Sequence, residues 1–143
     1  MNILLDTHIA LWAIDDPEKV SRKALELLVD KNNALYVSIV SMWEVAIKHI
    51  RHPDDIPISE FEYANFCKLS GFKLLPLKVE HVLTLSTIKK PENVSKKKEH
   101  KDPFDHIMVA QAKFEGFSFL TDDHLLSAYR EDFIIYHAPA FSH

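Results

Sequence analysis

Two kinds of apolar segment alternate along this chain. The first is short and continuous: Asn2-Ile3-Leu4-Leu5, Ala34 to Ser38, Lys73-Leu74-Leu75-Pro76, Phe117 to Thr121, and Phe133 to Tyr136. Short apolar runs with little polar alternation suit strands buried on both faces. The second kind spaces its apolar residues at helical intervals. Ile9, Leu11, Trp12 and Ile14 form one such pattern, stopped by Asp15-Asp16-Pro17. Ala24, Leu25, Leu27 and Leu28 form the next, behind a Ser21 cap and before the breaker Asn32-Asn33. A helix is expected from Ser41 to about Arg51. Ser59 and Glu62 make a capping-box pattern ahead of Phe61, Ala64, Phe66 and Leu69, with Gly71 as the stop. Val79, Val82, Leu83 and Leu85 predict a helix ending near Pro91. Asp102 followed by Pro103 opens another that Gly116 ends, and a short one runs from Asp122 to Tyr129.

Strands separated by helices, with no two-residue hairpin signal, predict an α/β domain on a mostly parallel central sheet. No linker or repeat divides the chain, so residues 1–143 read as one domain, with 137–143 a short C-terminal tail. The composition, 47% hydrophobic and 27% charged over 143 residues, is that of an ordinary globular protein. The lone Cys67 excludes an internal disulfide framework and a cysteine-based zinc site, and fits a reducing compartment. Asp6 interrupts the N-terminal apolar run too early for a signal peptide, and no run reaches membrane-spanning length. A cytoplasmic protein without a membrane partner is expected.

The candidate chemistry is carboxylate chemistry. In parallel α/β sheets ligands bind outside the carboxyl ends of the strands. Asp6 follows the first run, Glu44 falls early in the helix after the second, Asp105 lies in the first turn of the Asp102 helix, and Asp122-Asp123 follow Thr121. All are expected at one edge of the sheet. Carboxylates gathered without arginine partners repel and are costly to desolvate, which a divalent cation resolves. Oxygen donors favour Mg²⁺ or Mn²⁺. There is no P-loop, no Gly-rich dinucleotide turn (the chain has two glycines), no G-x-S-x-G and no H-E-x-x-H, leaving metal-assisted hydrolysis as the best match. The net charge of −4 is uneven: Lys89 to Lys101 carries a local +4 and the remainder −8. That basic run, ending at Lys101, is a candidate approach for phosphates, although a solvated lysine-rich loop has the same composition.

Four segments together resemble a known family. Asp6-Thr7-His8, Ser41-Met42-Trp43-Glu44-Val45-Ala46-Ile47-Lys48, Asp102-Pro103-Phe104-Asp105 with Ala110-Gln111-Ala112, and Leu120-Thr121-Asp122-Asp123 are similar to the motifs of PIN-domain nucleases, and among these to the VapC-like toxins of bacterial toxin–antitoxin pairs. The resemblance extends from Met1 to about Tyr136. It implies a three-layer α/β/α fold, an acidic Mg²⁺ or Mn²⁺ site, endoribonuclease activity on RNA, homodimerisation, and inhibition by an antitoxin protein. It assigns Asp6, Glu44, Asp105 and Asp123 as metal-binding and catalytic acids, with Thr7, Thr121 and Asp102 as supporting residues. One departure is His106, where relatives carry Arg after Asp-Pro-Phe-Asp; His106 is therefore a candidate substrate-phosphate contact, together with Lys101.

Plainer readings stand beside these. Ser41-x-x-Glu44 is itself a capping-box pattern, Asp105 suits a helix dipole, and Asp122, more than Asp123, reads as the first residue of the next helix. Trp12, Trp43 and Phe104 read as core residues rather than base-stacking platforms. A non-catalytic protein-interaction module and a small-molecule metal phosphatase are the rival functions.

Overall fold

The computed structural model describes residues 1–89 and 102–140. Five strands form one sheet in the order β3-β2-β1-β4-β5: β1 (Asn2–Leu5), β2 (Ala34–Ser38), β3 (Lys73–Leu75), β4 (Ser118–Thr121) and β5 (Ile134–Tyr136). Every pairing is parallel, with Leu4 opposite both Tyr36 and Phe119. Side chains alternate across a strand, so successive residues of a buried run must face different helix layers. Ile3, Leu5, Val37 and Leu120 pack with Ile9, Ala10, Ala24, Val45, Tyr63 and Cys67 on one side. Leu4 and Phe119 pack with Met108, Val109, Ala112 and Leu126 on the other. This is the expected α/β/α arrangement. It explains why the strand runs lack polar alternation.

The helices are α1 (Thr7–Asp15), α2 (Arg22–Val29), α3 (Ile39–Arg51), α4 (Glu60–Leu69), α5 (Val79–Thr84), α6 (Pro103–Glu115) and α7 (His124–Ser127). Their starts follow side-chain chemistry. Ser21 accepts from the Ala24 N–H, the Ser59–Glu62 box is complete, and Asp102 accepts from the N–H groups of Phe104 and Asp105 with Pro103 at the first position. Gly116 closes α6 at φ +72°, a left-handed conformation that suits glycine.

Three expectations need correction. Helix α3 begins at Ile39 rather than Ser41, because Ser38 at the end of β2 is already the cap and accepts from Val40 N–H. Helix α5 ends at Thr84 and tightens into a single 3₁₀ turn over 85–87, so the helix predicted as far as Pro91 is shorter. Asp123, not Asp122, caps α7, accepting from the Leu125 N–H. Of the tail, His137 N–H still bonds Thr121 O and Ala140 N–H bonds Lys19 O. Among the described residues no helix is long and apolar enough to cross a membrane.

The strand order fixes where a site can form. From β1 the chain steps outward through β2 to β3, then returns to place β4 on the opposite side of β1. The segments leaving β1 and β4 therefore diverge, and a crevice opens at their carboxyl ends. Asp6 and Asp122-Asp123 follow those two strands.

Candidate active site

Asp6 is the pivot of the crevice. It caps α1, its Oδ1 accepting from the Thr7 N–H at 2.7 Å, while Oδ2 accepts from the Thr121 hydroxyl at 2.6 Å. Its own N–H continues the β1–β4 pairing to Leu120 O at 2.9 Å. The strand end, the helix start and the neighbouring strand thus hold one carboxylate, which is 4% exposed.

Glu44 enters from α3. Because the helix starts at Ile39, Glu44 lies in its second turn and Ser41 lies inside the helix, so the Ser41–Glu44 capping box does not form. Glu44 instead turns inward, 3% exposed, with Oε1 accepting from the Thr7 hydroxyl at 2.6 Å and Oε2 from Lys48 Nζ at 2.5 Å. Asp105, 7% exposed, is carried in by the first turn of α6. Asp102 stays at the rim, its Oδ1 capping α6 and its Oδ2 3.8 Å from Lys48.

These side chains line one cleft of about 340 Å³: Asp6, Glu44, Asp102, Asp105, Asp122 and Asp123, with Lys48, His8 and Trp12. The four acids expected to converge do so, and Thr7 and Thr121 serve two of them as hydroxyl donors. Asp123 lines the cleft while also capping α7. Asp122 is the acid that sequence reasoning set aside. Its Oδ2 is buried and, among the described residues, has no hydrogen-bond partner. Lys48 was not singled out either, although its position four residues after Glu44 puts both on one helix face.

Two candidates fall elsewhere. His106 is turned away from the cleft, its Nε2 2.6 Å from the Tyr129 hydroxyl, and lines a separate recess with Leu85 and Ile88. Adjacent helix positions point about 100° apart, so following Asp105 directly takes His106 off its face. Lys101 lies outside the described residues, as does most of the lysine run. Trp43 is not a core residue: it is 59% exposed and meets Phe104 edge-to-face at 5.1 Å between ring centroids. Trp12 is half-buried, stacked on His8 at the cleft wall.

The electrostatics are those of crowded acids. Burial, then the charge of Asp105, pushes the Asp6 carboxyl well above its ordinary value; Asp122 and Glu44 add to the push, and the Thr121 bond opposes it. Burial also raises Asp122, with His8 working against it. Burial alone would lower Lys48, but its bond to Glu44 and the charges of Glu44, Asp102 and Asp105 raise it. Among the described residues no three acids or histidines already stand together as a ready ligand cluster. Asp6 is tied to Thr121 and Glu44 to Lys48. The donor set nevertheless fits a hard divalent cation: several carboxylates, one orphaned buried oxygen and, among the described residues, one lysine in the lining.

The sequence model for the PIN domain matches residues 3–132. The chain belongs to the PIN domain family. No curated protein matches the chain. Among solved structures, this PIN domain is similar to VapBC2 from Rickettsia felis bound to a promoter DNA fragment, with 17% identity, a TM-score of 0.65, and 97% of this chain and 99% of that one covered. A toxin–antitoxin complex from Klebsiella pneumoniae matches with 15% identity, a TM-score of 0.59, and coverage of 93% and 95%. VapBC-1 from nontypeable Haemophilus influenzae matches with 14% identity, a TM-score of 0.57, and coverage of 90% and 92%. At such identities the likeness is one of fold.

Proposed function

We propose that this PIN domain is a metal-dependent endoribonuclease and the toxin of a toxin–antitoxin pair, acting in the cytoplasm as a homodimer and restrained by a cognate antitoxin protein. The observation that carries the reading is the meeting of Asp6, Glu44, Asp105 and Asp123 in one cleft at the strand ends. The antitoxin partner is supported by the VapBC complexes that share the fold over nearly their whole length.

In this reading Asp6, Glu44, Asp105 and Asp123, joined by Asp122, hold Mg²⁺ or Mn²⁺. When bound, such an ion polarises a phosphodiester and lowers the pKa of an attacking water. The chain's own groups prepare the place. Thr121 and the Thr7 backbone fix both oxygens of Asp6, and Thr7 and Lys48 fix those of Glu44. Lys48, between Glu44 and Asp102, offsets part of the charge of the acids. His8 and Trp12 also line a neighbouring recess of about 320 Å³ bounded by Asp15, Lys19 and the 54–58 loop.

The test is cleavage of end-labelled single-stranded RNA by purified protein with Mg²⁺ or Mn²⁺, beside a generic phosphate ester. RNA is expected to be cut, the ester left intact, and cutting to stop with a chelator or with Asp6→Asn or Asp105→Asn. Undiminished cleavage by both variants would move the activity to another site.

A further inference from the structure

Behind Glu44 lies a buried row of hydroxyl groups drawn from three helices. The Tyr63 hydroxyl on α4 is 2.6 Å from Ser41 Oγ on α3; Ser41 Oγ is 3.1 Å from Thr7 Oγ1 on α1; and Thr7 Oγ1 is 2.6 Å from Glu44 Oε1. Tyr63 and Ser41 are fully buried, and Thr7 and Glu44 are each 3% exposed. Water therefore has little part in satisfying these groups.

Proton counting fixes the end of the row at the carboxylate. An ionised carboxylate only accepts, and each hydroxyl has one proton to donate. Thr7 Oγ1 faces two acceptors, Glu44 Oε1 and Ser41 Oγ, and the charge-assisted bond to the carboxylate is the shorter and stronger. Ser41 Oγ is held against Thr7 by its bond with the Tyr63 hydroxyl, in which either oxygen can donate. Burial keeps the Tyr63 phenol well above its ordinary range, so it stays protonated.

We infer that Tyr63 is a positioning residue for the candidate metal ligand Glu44, acting through Ser41 and Thr7. This rests on the proposed metal site. The relay aims Oε1 from behind while Lys48 holds Oε2 from the side. A carboxylate held in this way keeps its orientation when a cation competes with Lys48 for it. Groups bonded to metal ligands commonly tune metal affinity in this manner. Tyr63 lies 19 residues beyond Glu44 in the chain, on a helix none of whose residues is among those lining the cleft.

The experiment is Mn²⁺ titration calorimetry on folded, chelator-stripped protein, well below its melting temperature, with Tyr63→Phe, Thr7→Val, Thr7→Ser, Glu44→Gln and the Tyr63→Phe/Glu44→Gln double variant. Removing a direct partner of the ligand, in Thr7→Val, is expected to weaken Mn²⁺ about 10- to 100-fold, with Thr7→Ser restoring it. Tyr63→Phe, two links further back, is expected to cost less, about 3- to 10-fold. In the Glu44→Gln background the Tyr63→Phe effect should vanish, because a residue acting through Glu44 has nothing left to act on. A Tyr63 that only packs the core would lower the melting temperature and leave Mn²⁺ affinity unchanged. Wild-type binding with equal affinity in Tyr63→Phe, or an equal loss in both backgrounds, overturns the relay alone. Absence of saturable Mn²⁺ binding by the wild type overturns the metal reading and the relay with it.

Discussion

At the residue scale, the acid expected to matter most for chemistry is also an expense in stability. Asp6 is nearly inaccessible, faces Asp105, Asp122 and Glu44, and has its carboxyl raised by burial first and by Asp105 next. A raised acid binds its proton more tightly folded than unfolded. Its contribution to stability is therefore full below the unfolded value near 3.8 and is lost as pH climbs through the higher folded value. Asparagine would still cap α1 and relieves the charge, at the loss of the acceptor that the Thr121 hydroxyl now uses. Asp6→Asn is expected to gain about 0.5–2 kcal/mol in chelator at pH 7, with the gain shrinking toward pH 4. It should also lose any stabilisation by Mn²⁺. Urea titrations at the two pH values check this, and a variant less stable at pH 7 would count against the repulsion described. Asp6 and Asp105 were legible in the sequence because a strand end and a proline-opened helix start give their positions away. Glu44 was ambiguous, since one spacing served a cap and a ligand alike. Asp122 and Tyr63 were not legible: which of two adjacent acids caps a four-residue helix depends on backbone angles, and the partner of a buried phenol depends on how distant helices pack.

At the scale of elements, the strand-and-helix alternation was readable throughout. What failed were boundaries where a polar residue had two uses. Ser38 ends β2 and caps α3 at once, donating meanwhile to Gln111 Oε1 at 2.5 Å, so the cap lies three residues before Ser41, the serine that looked like one. A second tie joins α5 to α6. His81, fully buried, accepts from the Lys78 N–H through Nδ1 and so presents an Nε2–H to Glu115, 2.9 Å away. The His81 bond, followed by Lys78, lowers the Glu115 carboxyl against the opposing effect of burial. A lowered acid contributes stability above its unfolded value near 4.5 and loses it as pH falls through the folded one. Glu115→Ala leaves a buried N–H without its acceptor and is expected to cost about 1–3 kcal/mol at pH 7. The deficit relative to wild type should narrow below pH 4.5. Thermal melts across pH 3.5–7 would show it, and a constant deficit would mean that packing rather than the ion pair is lost.

At the scale of the whole molecule, the charge distribution sets the problem that RNA binding must solve. A cleft lined by six acids repels a polyanion, and outside Lys89 to Lys101 the chain carries −8. Lys48 is committed to Glu44 and Asp102, and Lys19 sits over Trp12 at 5.8 Å beside Asp16, so neither offers a broad positive surface. The strongest concentration of positive charge in the sequence is the run that leads directly into Asp102, the cap of the helix that carries Asp105 into the cleft. Attraction from such a segment acts over about 10 Å at 0.1 M salt, and each phosphate contact it makes adds about 0.7 to the steepness of affinity against salt for a single strand. Replacing Lys96, Lys97 and Lys98 together by Ser is expected to weaken single-stranded RNA binding, most visibly at low ionic strength, and to flatten the plot of log affinity against log salt by up to about 2. It should leave Mn²⁺ affinity unchanged, because an ammonium group has no lone pair to offer a cation. Fluorescence anisotropy with a labelled oligoribonucleotide and catalytically silent Asp105→Asn protein measures the slope without turnover. An unaltered slope would show that these lysines make no contact with the RNA phosphates.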